Sequence, residues 1–160
     1  MDVAHRLAAR VGRQLKERGL LLATAESCTG GWVAQMITSV PGSSEWFDRG
    51  FITYSDLAKH EMLGVRRETL DRFGAVSEEV VREMAEGVLR HSAARVSVAI
   101  SGIAGPGGGS PRKPVGTVWL AWAVAGRETR CRSTHYAGDR DMVRQQAVMA
   151  ALQGIIDSVD

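Results

Sequence analysis

The segment from Glu26 to Gly31 has the residue types of a nucleophilic site. It reads Glu-Ser-Cys-Thr-Gly-Gly, follows a short apolar run and precedes apolar residues at helical spacing. This pattern predicts a buried strand, a tight turn and a helix that begins at the turn. Ser27 or Cys28 could act as a nucleophile there, and backbone N–H groups near Thr29 could hold an oxyanion or a phosphate. The same residue types also suit an ordinary helix cap, which they favour on their own.

A serine nucleophile needs a base, because its hydroxyl group is unreactive at neutral pH. Lys59 is one candidate, since a lysine in a dry cleft can reach a pKa of about 7 to 8. Lys59 alone would more often be a solvated surface residue. Cys28 with His60 is a rival pair, because a helix N-terminus lowers the pKa of a thiol. A Ser-His-Asp arrangement has no support in the spacing of the four histidines.

Two further polar segments follow predicted strands. Tyr54 ends the second strand and could relay a proton or be a core aromatic residue with a solvated hydroxyl group. Ser101 follows the third predicted strand and opens a glycine-rich loop that continues to Gly116. The loop could be a flexible connection, or its backbone could approach an anion closely. Lys113 in this loop could steer a phosphate or only keep the loop soluble.

The order of elements along the chain is predicted as α-β-α-β-α-α-α-β-β-β-α. Alternation in the first two-thirds predicts parallel strands, and the two late strands predict a hairpin. We therefore expect a three-layer α/β/α fold with a mixed, mainly parallel sheet and a C-terminal antiparallel hairpin. The later strands are predicted at residues 50–54, 95–100, 117–124 and 129–136, and two short helices at 56–63 and 66–73. Open α/β sheets bind ligands at the carboxyl ends of their strands, where the three polar segments lie.

Composition narrows the class of protein. With 160 residues, 44% of them hydrophobic and 24% charged, the chain is expected to form one soluble domain over residues 1–160. A net charge of +2, with the arginines spread along the chain, argues against nucleic acid or a membrane as partner. Two cysteines indicate a reducing, cytoplasmic setting. The scattered histidines predict no metal site, and no cofactor is expected.

Several motifs together resemble one family, the C-terminal domain of the competence/damage-inducible protein CinA. The resemblance is strongest to its stand-alone form, nicotinamide-nucleotide amidase. The matching segments occur in order along nearly the whole chain, at residues 24–31, 50–55, 59, 63–65, 74–77, 101–106, 113–118 and 138–140. The resemblance implies hydrolysis of nicotinamide mononucleotide to nicotinate mononucleotide and ammonia, in pyridine-nucleotide recycling. It also fits a homo-oligomer, with a dimer expected.

The resemblance implies a role for individual residues. Ser27, and not Cys28, would be the nucleophile, Lys59 its base, and Tyr54 and Ser101 would assist. The expected substrate-binding residues, from the turn, the loop and the resemblance, are Thr29, Gly30, Gly31, Gly102, Gly105 and Arg140. Two alternatives remain open at this point. The protein could be a non-catalytic pyridine-nucleotide-binding or sensor module, or an amidase for another small carboxamide.

Overall fold

A five-stranded mixed sheet lies between two layers of helices in the computed structural model, which describes residues 2–160. The predicted order of helices and strands is confirmed, with one short 3-10 helix added at Ser43–Glu45. The helices are α1 (Asp2–Arg18), α2 (Trp32–Thr38), α3 (Asp56–Leu63), α4 (Arg67–Phe73), α5 (Glu78–Arg90) and α6 (Arg140–Val159). The strands are β1 (Leu22–Glu26), β2 (Phe47–Ile52), β3 (Val96–Gly102), β4 (Thr117–Val124) and β5 (Arg130–His135).

The strand order across the sheet is β2-β1-β3-β4-β5. β1 pairs in parallel with both β2 and β3, whereas β4 runs antiparallel to β3 and forms a hairpin with β5. This topology confirms the predicted α/β fold with a C-terminal antiparallel hairpin. The carboxyl ends of β1, β2 and β3 therefore meet at one edge of the sheet, where the start of β4 also lies.

The two faces of the sheet are covered by different helices. α1, α2 and α6 pack on one face, where larger side chains such as Leu22, Val98 and Ile100 are buried. α5, with Leu63 of α3 and Leu70 of α4 beside it, packs on the other face. There the strands contribute mainly alanines, which bring the helix layer close to the sheet. β1 and β3 are thus buried on both faces, as expected for central parallel strands.

The buried face of helix α1 differs from the face that its valines and leucines would form. Val3 is 50% exposed, whereas Ala4 and Ala8 are fully buried beside Val11 and Leu15. Helical spacing alone would place Val3 and Leu7 on the same face as Val11. Small alanines let α1 approach the core, a preference that residue hydrophobicity alone does not reveal.

Candidate active site

The turn that carries Ser27 is built directly onto the end of β1. The Ser27 N–H donates to the carbonyl of Ile100 (3.0 Å), so the pairing with β3 extends to the serine itself. The chain then turns through Gly30 (φ 59°) and Gly31 (φ 103°), both in the left-handed region that favours glycine. α2 begins one residue later. The turn holds the Ser27 side chain at the sheet edge, with 8% of its surface exposed.

Glu26 fastens this turn to α2 and was given no role from the sequence. Its buried carboxylate accepts hydrogen bonds from the N–H groups of Val33 (2.9 Å) and Ala34 (3.1 Å), and from the Thr29 hydroxyl group. These are N–H groups of the first turn of α2, which have no partner within the helix. The seven- and eight-residue separations match no local capping pattern, so residue spacing carried no signal for this contact.

Lys59 reaches Ser27 from α3. Ser55 caps this helix, since its Oγ accepts a hydrogen bond from the N–H of Ala58 at 3.0 Å. The Lys59 side chain runs back toward the sheet edge and is only 1% exposed. Its Nζ lies 3.1 Å from Ser27 Oγ, 2.9 Å from the Thr53 carbonyl oxygen and 3.1 Å from that of Tyr54. The amine therefore has three oxygen neighbours, of which only one is a hydroxyl group.

Burial lowers the pKa of Lys59 from its ordinary value, and the negative charge of Asp56 partly opposes this shift. A neutral amine has two hydrogens and one lone pair. The two carbonyl oxygens are suitable acceptors for these hydrogens, so the lone pair can face Ser27 Oγ, whose hydroxyl group also donates to the Tyr54 carbonyl oxygen at 3.4 Å. The arrangement can therefore accept the proton of the serine.

The rival nucleophile, Cys28, is poorly placed for reaction. Burial raises the pKa of its thiol to about 11, so the thiol is protonated at neutral pH. The His60 ring does not face it, since its Nδ1 is 2.8 Å from the Val65 carbonyl oxygen. None of the four histidines, all within the described residues, lines the cavity at Ser27. This geometry favours the Ser27–Lys59 pair over both histidine arrangements.

A cavity of about 250 Å³ opens above the Ser27–Lys59 pair, and we call it the Ser27 pocket. It brings together six of the residues expected at the site, from five separate segments of the chain. These are Ser27, Tyr54, Lys59, Ser101, Gly102 and Arg140. Cys28, the rival nucleophile, also lines the pocket. Four residues for which the sequence predicted no substrate contact complete the lining, namely Asp56, Ala75, Val76 and Ala104.

Arg140 closes one side of the Ser27 pocket. It is the first residue of α6, whose N-cap is Asp139, and its Nη1 donates to the Gly105 carbonyl oxygen at 2.8 Å. Its Nη2 donates to the Tyr54 hydroxyl group at 3.3 Å. Tyr54 is 62% exposed, so it is a rim residue and not a core aromatic. Gly105 does not line the pocket but places this carbonyl, at a backbone φ of 86°.

Thr29, Gly30 and Gly31 do not line the Ser27 pocket. The Thr29 hydroxyl group is directed to Glu26, and the Gly30 N–H donates to the Ser27 carbonyl oxygen at 3.1 Å. The first turn of α2 is thus occupied by protein contacts, which the turn sequence did not reveal. Several residues of the lining could offer N–H groups instead. Among residues 2–160, no oxygen atom accepts a hydrogen bond from the N–H groups of Cys28, Tyr54, Ala75, Val76 or Ala104.

Arg144 of α6 holds the turn from outside. Its Nε donates to the Cys28 carbonyl oxygen (3.0 Å), and its Nη2 donates to that of Thr29 (3.4 Å). The guanidinium group also lies over the Trp32 ring, 5.3 Å from its centroid. These contacts fix the peptide planes on either side of Thr29. No sequence motif pointed to this residue, because the contacts span more than 110 positions.

The described residues, 2–160, contain no group of three or more His, Cys, Asp or Glu side chains arranged to hold a metal ion. No helix among them is both long enough and apolar enough to cross a lipid bilayer.

Comparison with known proteins gives a consistent picture. The family model of the CinA C-terminal domain matches residues 4–159. The chain is 59% identical to the nicotinamide-nucleotide amidohydrolase PncC of Escherichia coli (strain K12) over 147 residues, which is 92% of this chain and 89% of that protein. It is 51% identical to PncC of Pseudomonas putida, over 98% of this chain and 97% of that one. The crystal structure of the competence/damage inducible protein CihA from Agrobacterium tumefaciens superposes with a TM-score of 0.95 at 44% identity, covering 97% and 94% of the two chains.

Proposed function

This chain belongs to the CinA C-terminal domain family, and we propose that it hydrolyses the carboxamide group of nicotinamide mononucleotide. The products are nicotinate mononucleotide and ammonia. The names of the relatives from E. coli and P. putida support this activity. The observation that carries the proposal is the distance of 3.1 Å between Lys59 Nζ and Ser27 Oγ inside a buried pocket.

Lys59 acts as the general base in the first step. The neutral amine takes the Ser27 hydroxyl proton while Ser27 Oγ attacks the carboxamide carbon. Two features keep the amine neutral, namely its burial and the positive pyridinium ring of the incoming substrate. The thiol of Cys28 takes no part, because burial keeps it protonated at neutral pH.

The oxyanion that forms needs donors on the side of the pocket opposite Lys59. We assign this role to the N–H groups of Cys28 and Ala104, in place of those expected at residues 29–31. One such donor typically accounts for about a hundredfold or more in kcat. Tyr54 or Ser101 passes a proton from Lys59 to the departing ammonia. Water then hydrolyses the nicotinoyl-serine ester, which releases nicotinate mononucleotide and restores Ser27.

The wider role follows from this reaction. The reaction converts one pyridine nucleotide, the amide, into another, nicotinate mononucleotide. We therefore propose that the protein acts in pyridine-nucleotide recycling in the cytoplasm. The reaction needs only water as second reactant, so the proposal includes no cofactor and no nucleic acid. We also propose that the protein forms a homodimer.

Ammonia release from nicotinamide mononucleotide by the purified protein tests the proposal. We expect turnover in the wild type and none in the Ser27→Ala protein, which controls for contaminating amidases. Binding of the nucleotide without turnover would instead support a sensor module. Turnover restricted to other small carboxamides would support a different amidase.

A further inference from the structure

A second cavity adjoins the Ser27 pocket on the side where α4 and α5 meet. Its volume is about 730 Å³, and Val76 lines both cavities. Three cationic side chains line it, Arg72 from α4 and Arg112 and Lys113 from the glycine-rich loop. We call it the basic cavity. The proposed chemistry uses none of these three residues, of which Lys113 was expected from the sequence either to steer a phosphate or only to keep the loop soluble.

Positive charge prevails in the basic cavity despite two carboxylates, Glu78 and Glu79, in its lining. Glu78 is neutralised by Arg82, whose Nη2 lies 2.9 Å from its Oε2. This leaves three cationic groups against Glu79. This excess of positive charge would attract an anion into the basic cavity. The attraction would be strongest in the half-enclosed space beneath the loop.

Lys113 is held in place before any ligand arrives. Its Nζ donates to the Phe73 carbonyl oxygen at 2.6 Å, which ties the glycine-rich loop to the end of α4. An ammonium group has three hydrogens, so two remain for another acceptor. Arg112 is exposed beside it and offers a planar guanidinium group, which suits phosphate oxygens.

Size also requires a second subsite. Pockets that enclose small ligands usually measure about 300–1,000 Å³. The Ser27 pocket, at about 250 Å³, falls below this range and suits the carboxamide and its ring. The remainder of a mononucleotide must extend into adjoining space, and the basic cavity provides it.

We propose that the basic cavity binds the phosphate group of the mononucleotide substrate, with Arg112 and Lys113 as its donors. This inference rests on the proposed function, since it concerns the substrate of the same site. Arg140 then keeps its contacts with the Gly105 carbonyl oxygen and the Tyr54 hydroxyl group at the edge of the Ser27 pocket. The cavity then discriminates a nucleotide from the corresponding nucleoside.

The test compares nicotinamide mononucleotide with nicotinamide riboside, which lacks the phosphate. We would measure kcat/KM for both compounds in the wild type and in an Arg112→Gln, Lys113→Gln double variant. Loss of charged hydrogen bonds should lower kcat/KM for the mononucleotide by about tenfold to a hundredfold. The value for the riboside should stay within about twofold of wild type, because no phosphate contact is lost.

A matched control removes the same charge far from the site. An Arg6→Gln, Arg10→Gln variant alters two exposed arginines of α1 and should leave both values unchanged. An unchanged preference for the mononucleotide in the cavity variant would overturn the inference, and so would equal losses on both compounds. A wild type that releases no ammonia from the mononucleotide would refute the proposed function, a result distinct from either of these.

Discussion

Ser27 and Cys28 are adjacent, yet only one of them has a base within reach. Ser27 Oγ is 3.1 Å from Lys59 Nζ, whereas burial holds the Cys28 thiol protonated. We expect Ser27→Ala to lower kcat by roughly 10⁴-fold or more, as loss of a covalent nucleophile does. Cys28→Ser should retain substantial activity. Steady-state kinetics of the two variants decide the matter, and the opposite ranking would assign the reaction to Cys28.

Asp56 affects the pKa of Lys59 and therefore the pH range in which Lys59 can act as a base. Its carboxylate raises the pKa of Lys59 against the larger lowering caused by burial. Only the neutral amine accepts a proton, so the rate should rise with pH through this lowered pKa. Asp56→Asn removes the opposing charge and lowers the pKa of Lys59 further. The pH at which kcat/KM rises should therefore be lower in this variant, even if the maximal value of kcat/KM also changes.

A matched substitution on the same helix separates this effect from a general change in charge. Glu61 is exposed on α3 and does not line the Ser27 pocket, so Glu61→Gln should leave the pH profile where it is. An equal shift in both variants, or no shift in Asp56→Asn, would show that Asp56 does not tune the base.

At the scale of elements, Glu26 couples the end of β1 to the start of α2. Glu26→Gln replaces one carboxylate oxygen with an NH₂ group, which sets a donor against the N–H groups of Val33 or Ala34. Leaving a buried donor unpaired costs about 1–3 kcal/mol, so the free energy of unfolding should fall by that amount. Urea unfolding measures it, with Glu17→Gln of α1 as an exposed control. Equal midpoints in the two variants would contradict the capping role.

Elements with local end signals were predicted well. α3 was predicted at residues 56–63 and has those bounds, because Ser55 caps it and Gly64 ends it within the sequence itself. β2 was predicted to begin at Gly50 but begins at Phe47. Asp48 and Arg49 are charged and are not typical strand residues, so the sequence did not predict a strand there. The start of β2 is determined by its pairing with β1.

The residues of the candidate site show the same difference between local sequence signals and long-range packing. Ser27, Tyr54, Lys59 and Ser101 were identified from their motifs and lie around one pocket. The turn sequence could not reveal that Glu26 occupies the first turn of α2, nor that Ala75, Val76 and Ala104 line the pocket. Those contacts depend on how distant segments pack, and neither a capping pattern nor residue type encodes them.

For the molecule as a whole, the mechanism we propose uses only side chains and backbone groups of this chain. The described residues, 2–160, offer no cluster of metal ligands. We therefore expect prolonged treatment with EDTA to leave the rate of ammonia release unchanged. A loss of activity that zinc or magnesium restores would contradict the Ser-Lys mechanism.

Folding brings Lys59 Nζ within 3.1 Å of Ser27 Oγ although the two residues are 32 positions apart, and we propose that they act as base and nucleophile. The most direct test is the pH dependence of kcat/KM for the wild type beside Lys59→Arg, with Lys59→Met as a variant of similar length without the amine. The account predicts a wild-type rate that rises through a pKa below that of free lysine. It predicts negligible turnover in both folded variants, because a guanidinium group stays protonated. Appreciable activity in Lys59→Arg with an unchanged pH profile would contradict the account, and would show that Lys59 only positions the substrate.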